Sequence, residues 1–332
     1  MNSGAERLRG GRWLGAGWAL AMLRRILILV ASVFAASVVV FAFMAVLPGD
    51  PAQVALGVNA TPELVERTRA EFGLDRPLVT QYLDWMGGVL SGDFGTSYVT
   101  REAIGPQLVD RLGVTLWLVG AGMLVALLIA MPLGTIAAVR HRRPSGTAVS
   151  ALSQVGVAIP AFLAGIILVQ VFAVRLGWLP SGGWTPPVRD PVEWLRGLIL
   201  PALSLGLVQG AVLTRYVRTA VLDVQREDYL RTARSKGLRP YPALVRHGLR
   251  NAALPVLTVL GLQLTTLLVG AVVIERVFVL PGIGSMLLDA VAARDLLTVQ
   301  AIVLVLVAAV LFVNFCVDVL YTVLDPRLRR SW

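Results

Sequence analysis

Apolar runs too long for the core of a soluble domain recur along this chain. The first is Ile26 to Leu47, ILILVASVFAASVVVFAFMAVL, bounded before by Arg24 and Arg25 and after by Pro48. A hydrocarbon core of about 30 Å needs about 20 such residues in a helix. Runs of that kind place spans near 24–47, 113–139, 148–174, 198–220, 252–274 and 298–323. Lipid offers the backbone no hydrogen bonds, so helices are the default for each run. A membrane barrel would need alternating strands of about 10 residues instead, and the chain shows none. The expected fold class is therefore all-α integral membrane with six transmembrane helices. Only 15% of the 332 residues are charged, against about 25% in soluble domains.

The first run exceeds the about 7–15 residues of a signal-peptide core, so it reads as a retained first transmembrane helix, 24–47. Before it lies an extension, 1–23, with Trp13 and Trp18 among arginines. It reads either as an interfacial segment or as a disordered one. The net charge is +10. The basic residues sit between apolar runs rather than on an aromatic-rich face, so nucleic acid is not an expected partner. The placement gives an orientation instead. Of 30 Lys and Arg, 20 fall at the two termini and in the loops at 140–143 and 215–250. The positive-inside rule sets those segments in the cytoplasm. The opposite loop, 48–112, carries nine acidic residues against five basic.

Two loops are too long to be connectors. The extracytoplasmic loop 48–112 contains TPELVERTRAEFG, which opens on a capping Thr61 with Pro62 in the first turn and closes at Gly73. The cytoplasmic loop 221–251 lies within a five-helix core, 113–324, and a short tail, 325–332, follows.

The chemistry that is missing narrows the function. Lys236 is the one lysine, preceded by Ser235 and followed by Gly237, so no ATP-binding P-loop (G-x-x-x-x-G-K-[ST]) can be written. His141 and His247 are the only histidines, which excludes HExxH, and no GxSxG appears. Cys316 is the only cysteine, so there is no internal disulfide. No catalytic, metal or cofactor residue is expected in this chain. Any ATP and magnesium would sit on partner subunits.

Ion-coupled transporters carry ionisable groups in mid-membrane, and the spans here hold few. Asn314 and Asp318, one turn apart, read as a helix–helix polar clamp. Candidates for lining a path are Gln154, Pro160, Gln209, Gln263, Glu275 and Asn314. Pro160 and Pro255 are expected to kink their helices. Gly206 and Gly210 form a small-xxx-small pair that lets helices approach closely.

The cytoplasmic loop contains Glu227-Asp228-Tyr229-Leu230-Arg231-Thr232-Ala233-Arg234-Ser235-Lys236-Gly237-Leu238. As a helix, it places Tyr229, Leu230 and Ala233 on one face and Arg231, Arg234 and Ser235 on the other. Gly237 ends it, and Pro240 and Pro242 redirect the chain. Joined to spans at both ends, such a helix can pass a push from a soluble partner to the membrane. A basic helix resting on anionic lipid would look the same.

A resemblance goes beyond that ambiguity. Asp228-Tyr229-x-Arg231-Thr232-Ala233-Arg234-x-Lys236-Gly237-Leu238, with Arg246-His247-x-x-Arg250-Asn251-Ala252 and Leu254-Pro255-Val256 after it, resembles the cytoplasmic EAA loop of binding-protein-dependent ABC importer permeases. More narrowly it is similar to the dipeptide/oligopeptide/nickel branch. The Glu of the general pattern is Arg231 here, so an ion pair through that glutamate would fall to Glu227 or Asp228. RRILILV…AVLPGDPA (24–52), FGLDRPLVTQYLDWMGGVLSGDFGTSY (72–98), ERVFVLPGIGSMLL (275–288) and NFCVDVLYTVLDPRLR (314–329) resemble further family segments in the right order. The second resembles the B-type subunit.

The resemblance implies the type I importer (MetI-like) permease fold with both termini cytoplasmic, in a bacterial cytoplasmic membrane. It implies a C-type permease subunit as heterodimer partner, two ABC ATPase subunits and an extracytoplasmic solute-binding protein. Residues Glu227, Asp228, Tyr229, Leu230, Arg231, Ala233, Arg234, Lys236, Gly237 and Leu238 would form the ATPase-coupling surface. The implied cargo is a di- or oligopeptide, with nickel chelates, glutathione and haem-like molecules also handled by the branch. A stand-alone secondary transporter or channel is the alternative, and it predicts transport without ATP or partners.

Overall fold

The computed structural model describes residues 5–238 and 240–324; the tail 325–332, with Arg327, Arg329 and Arg330, lies outside the described residues. The chain opens on α1 (Ala5–Val46), one unbroken helix that takes in residues 5–23 and the first apolar run. The segment after it folds into α2 (Pro51–Leu56), α3 (Pro62–Glu71) and α4 (Leu78–Ser91). Their starts follow from local chemistry. Asp50 accepts the Ala52 N–H at 3.0 Å and Pro51 occupies the first helical position, so LPGDP is a helix cap. Thr61 accepts the Leu64 N–H at 3.4 Å in the same way.

The bundle follows: α5 (Ile104–Val139), α6 (Pro144–Ala158), α7 (Ala161–Leu168) widening into a π turn (Val169–Arg175), and α8 (Pro191–Arg226). Then come α9 (Asp228–Ser235), α10 (Pro240–Ala243), a π turn (Leu244–Gly248), α11 (Leu249–Val277), α12 (Ile283–Ala292) and α13 (Leu296–Leu324). Among the described residues five helices are long and apolar enough to cross a membrane. A sixth crossing exists if α6 and α7 count as one broken span.

The kink expected at Pro160 within the 148–174 span is a full break. α6 and α7 meet at 97°. Pro160 pushes the residue before it out of the helical region, and Ile159 is extended at φ −87°, ψ 121°. Pro160 then stands as the residue preceding α7. Pro255, by contrast, lies inside a continuous α11. Other expected spans lengthen: α5 begins at Ile104 rather than near 113, and α8 starts at Pro191 rather than near 198. The Asp190 carboxylate caps α8, accepting the Val192 and Glu193 N–H groups at 2.9 and 3.0 Å.

α8 is the central helix and packs against α5, α6, α7 and α11. Its contact with α5 runs along two stripes of small residues with one-turn spacing. Gly122, Ala126, Ala130 and Gly134 on α5 face Ala202, Gly206, Gly210 and Thr214 on α8, and all are buried. A Cβ at Gly206 would stand 2.5 Å from Val125 Cβ and 2.9 Å from the Gly122 carbonyl oxygen; one at Gly134 would stand 2.6 Å from Val217 Cβ. The backbones touch where side chains are absent, the membrane equivalent of ridge-into-groove packing. Around this seam lie Leu118, Leu200, Leu213, Leu267, Ile274 and Phe278. α1 runs beside α13, where the Arg25 guanidinium donates to the Asp318 backbone carbonyl.

The seam makes a specific demand on volume. Gly206→Val forces apart two helices that have nowhere to go, and overpacking of this kind costs about 1–3 kcal/mol. The thermal unfolding midpoint in detergent is expected to drop by several degrees, against no change for Gly120→Ala, where a Cβ meets open space.

Candidate coupling site

α8 stops at Arg226, Glu227 turns the chain in an extended conformation, and α9 runs from Asp228 to Ser235. Gly237 ends it with φ +91°, a conformation that L side chains rarely adopt. The chain then re-enters the bundle through α10 and the π turn into α11. α9 is thus tethered at both ends to long bundle helices.

One side chain seats it. Leu230 is 1% exposed, and its Cδ1 converges with Val224 and Leu244 of the same core on the space above Gly248, where there is no side chain to displace. Ala233 and Leu238 are half-buried against the same core. A second tie is polar: Arg234 Nη2 donates to the Gln225 carbonyl at 2.7 Å, and its Nε donates to the Leu230 carbonyl at 3.3 Å. The seat therefore differs from the expected faces in two residues. Tyr229 is 37% exposed rather than packed inward. Arg234 straps α9 back to α8 rather than pointing away. Positions 230 and 234 are one turn apart and share a face, which brings the guanidinium over the carbonyls that end α8.

What faces outward is polar. Asp228, Tyr229, Arg231, Thr232, Ser235 and Lys236 are exposed. Arg231 pairs with Asp228 at 3.4 Å, with side chains 74% and 94% exposed, a pair worth little by itself. The arrangement is a rigid seat under a surface that makes few contacts with its own chain.

The expected path residues lie in several places. Gln154 is exposed on α6 and Pro160 marks the α6–α7 break. Gln209 on α8 and Gln263 on α11 are buried, on helices that pack together, and neither amide bonds a described residue. Asn314 is half-buried on α13, and Asp318 is exposed at the end of α13 that meets Arg25; the contact seen there runs from α13 to α1.

Glu275 is locked within the protein. It is 0% exposed. Thr115 Oγ1 donates to its Oε1 at 2.5 Å, and the Ser285 N–H donates to Oε2 at 3.0 Å. The Ile283 N–H donates to Thr115 Oγ1 at 2.9 Å. These are the first amides of α12, whose own preceding residue, Gly282, has no side chain to cap them. Glu275 performs that capping from α11. With its oxygens so engaged, its place in this fold is a lock between α5, α11 and α12 rather than a path-lining group. Thr115 and Ser285 were not foreseen; the bare amides of PGIGS are the one signal that α12 needed an outside acceptor.

A second lock joins 95–104 to α13. Asp295, 4% exposed, accepts from Ser97 Oγ at 2.5 Å, from Thr298 Oγ1 at 2.6 Å and from the Tyr98 N–H at 3.3 Å. Burial, and then the nearby Asp295 carboxylate, raise the Tyr98 phenol above its usual pKa.

Residues 130–330 match the family described as binding-protein-dependent transport system inner membrane component. Residues 20–119 match the N-terminal family of the same membrane components. The glutathione transport system permease protein GsiC of Escherichia coli K12 is 40% identical over 309 residues, covering 93% of this chain and 98% of that one. A Brucella abortus chain with the provisional name of peptide transport system permease protein is 40% identical over 308 residues, with the same coverage. In fold, the chain is similar to the inward-facing MetNI methionine ABC transporter. The TM-score is 0.53 at 17% identity, covering 66% of this chain and 96% of that chain.

Two substitutions probe these sites. Leu230→Ala empties the seat of α9, a change that costs about 2–5 kcal/mol in a packed core. Limited proteolysis is expected to cut within 226–240 several-fold faster, with no change in cutting elsewhere. Glu275→Ala leaves buried donors with no acceptor, at about 1–3 kcal/mol for each. It is expected to lower the unfolding midpoint, and an unchanged midpoint would remove the lock from the account.

Proposed function

The chain belongs to the family of binding-protein-dependent transport system inner membrane components, multi-pass proteins of the bacterial inner membrane, and from that premise we propose that it is the permease subunit of an ATP-driven peptide importer. It supplies one half of the translocation path, with a C-type permease as the other half. Two ABC ATPase subunits bind ATP and magnesium, and α9 docks on one of them. An extracytoplasmic solute-binding protein delivers the peptide to the opposite side. Both termini and α9 face the cytoplasm, which agrees with the placement of the basic residues.

The observation that carries this reading is the geometry of α9. Leu230 and Arg234 fix it to the ends of α8 and α11, and its outer face is left polar and accessible. A helix held this way cannot move without moving the bundle. ATP-driven closure of the ATPase subunits would displace α9 and tilt α8 and α11 with it. ATP and the loaded binding protein then act as two ligands that favour different states, each shifting the population by its differential affinity. The cargo reading rests on the names of the relatives, one for glutathione, itself a small peptide, and one for peptides.

Lys236→Glu and Arg231→Glu change only the exposed face. In the purified assembly each is expected to reduce peptide-stimulated ATP hydrolysis by about tenfold, within the range of ordinary allosteric couplings, while the ATPase subunits still co-purify. Full stimulation in both variants would remove α9 from the coupling route. With binding protein present, short peptides are expected to stimulate hydrolysis in the unaltered assembly. Stimulation by a nickel chelate and by no peptide would overturn the cargo.

A further inference from the structure

α4 has two unlike faces. Gln81, Asp84, Trp85 and Gly88, at helical spacing, line a cavity of about 720 Å³ bounded also by α1, α3 and the start of α13. The polar groups on this side are paired: Arg76 with Asp84 at 3.1 Å, Arg69 with Asp50 at 3.6 Å, and Gln81 Nε2 donating to the Arg76 carbonyl at 2.8 Å. The other face carries Val79, Leu83 and Leu90, which are 71%, 61% and 81% exposed, with Met86 half-buried between them. Those positions recur at i, i+4, i+7 and i+11, a continuous apolar stripe.

The depth of α4 says what covers the stripe. Tyr82 Oη and Ser37 Oγ share a hydrogen bond of 2.9 Å, and Ser37 is 0% exposed. The Tyr82 ring meets Phe34 and Phe41 edge-on at 6.4 and 5.4 Å, and Trp85 stacks on Phe41 at 6.0 Å. The apolar span of α1 ends at Val46. At 1.5 Å per residue, Phe41, Ser37 and Phe34 lie about 8, 14 and 18 Å below that end along the helix. α4 is therefore seated well below the outer boundary of the span rather than in water above it. The neighbouring surface of α1 is also apolar and exposed, with Phe34 at 58%, Val39 at 66% and Phe43 at 63%. The α4 stripe continues a surface already at hydrocarbon depth.

The geometry points to α4 as a helix embedded in one leaflet, with phospholipid acyl chains covering Val79, Leu83 and Leu90. Its opposite face lines the cavity, whose wall along α1 runs from Phe41 past the end of the span to Asp50. The inference needs α1 to span the membrane and does not depend on the cargo or on α9.

The test places a photoreactive side chain on the stripe. Leu83→p-benzoylphenylalanine, and separately Val79→p-benzoylphenylalanine and Leu90→p-benzoylphenylalanine, are made in the full assembly and irradiated in native membranes. Intact mass is read after purification with the co-purifying subunits. The expected result is a mass gain of one phospholipid at the three stripe positions and none at Glu66→p-benzoylphenylalanine on α3. Adducts to a protein chain would give the stripe to a partner instead. No adduct at any stripe position, or lipid adducts at Glu66 as well, would equally overturn it.

Discussion

The close approach of α5 and α8 is the constraint on which the rest depends. Lipid gives two apolar helices no hydrophobic reason to associate, so contact area and backbone proximity must hold them. The stripes Gly122-Ala126-Ala130-Gly134 and Ala202-Gly206-Gly210-Thr214 supply both. α8 is thereby fixed at the centre of the bundle, with α5, α6, α7 and α11 packed directly against it. It also continues to Arg226, where α9 begins. The small residues in mid-helix thus determine where α9 stands. Leu230 and Arg234 carry that rigidity across one break in the chain.

Polar groups then close the end of the bundle away from α9. Glu275 ties α11 to α5 and caps α12, and Asp295 ties 95–104 to the start of α13. Both carboxylates are buried and satisfied by hydroxyl and amide donors. Such groups are costly if one donor is lost and stabilising only as a complete set. This gives the segment ERVFVLPGIGSMLL a structural meaning: the glutamate and the glycine-rich turn are two halves of one cap.

Much of this was legible in the sequence, and the boundary is physical. Spans followed from apolar length, and the cap at Thr61 and the turn at Gly237 followed from chemistry within a few residues. Gly206 and Gly210 announced a close contact, although their partners on α5 did not announce themselves. What could not be read depends on distant chain. Thr115 meets Glu275 across 160 positions, so Glu275 looked like a polar residue in search of a path. Pro160 predicted a disturbance but not a 97° bend. Tyr229 looked inward by periodicity, yet the seat beside Val224 and Leu244 is filled by Leu230. The 48–112 segment read as a loop because its depth is set by Tyr82 meeting Ser37, a contact that local pattern does not encode.

The central claim is that α9 is the surface through which ATP hydrolysis reaches the bundle. Hydrogen–deuterium exchange on residues 227–238 tests it most directly, with the permease pair compared in the presence and absence of the ATPase subunits. The account predicts that amides in 227–238 exchange many-fold more slowly when the ATPase subunits are bound, with 281–295 unchanged. Equal exchange in 227–238 with and without those subunits, or protection confined to 140–147, would contradict it.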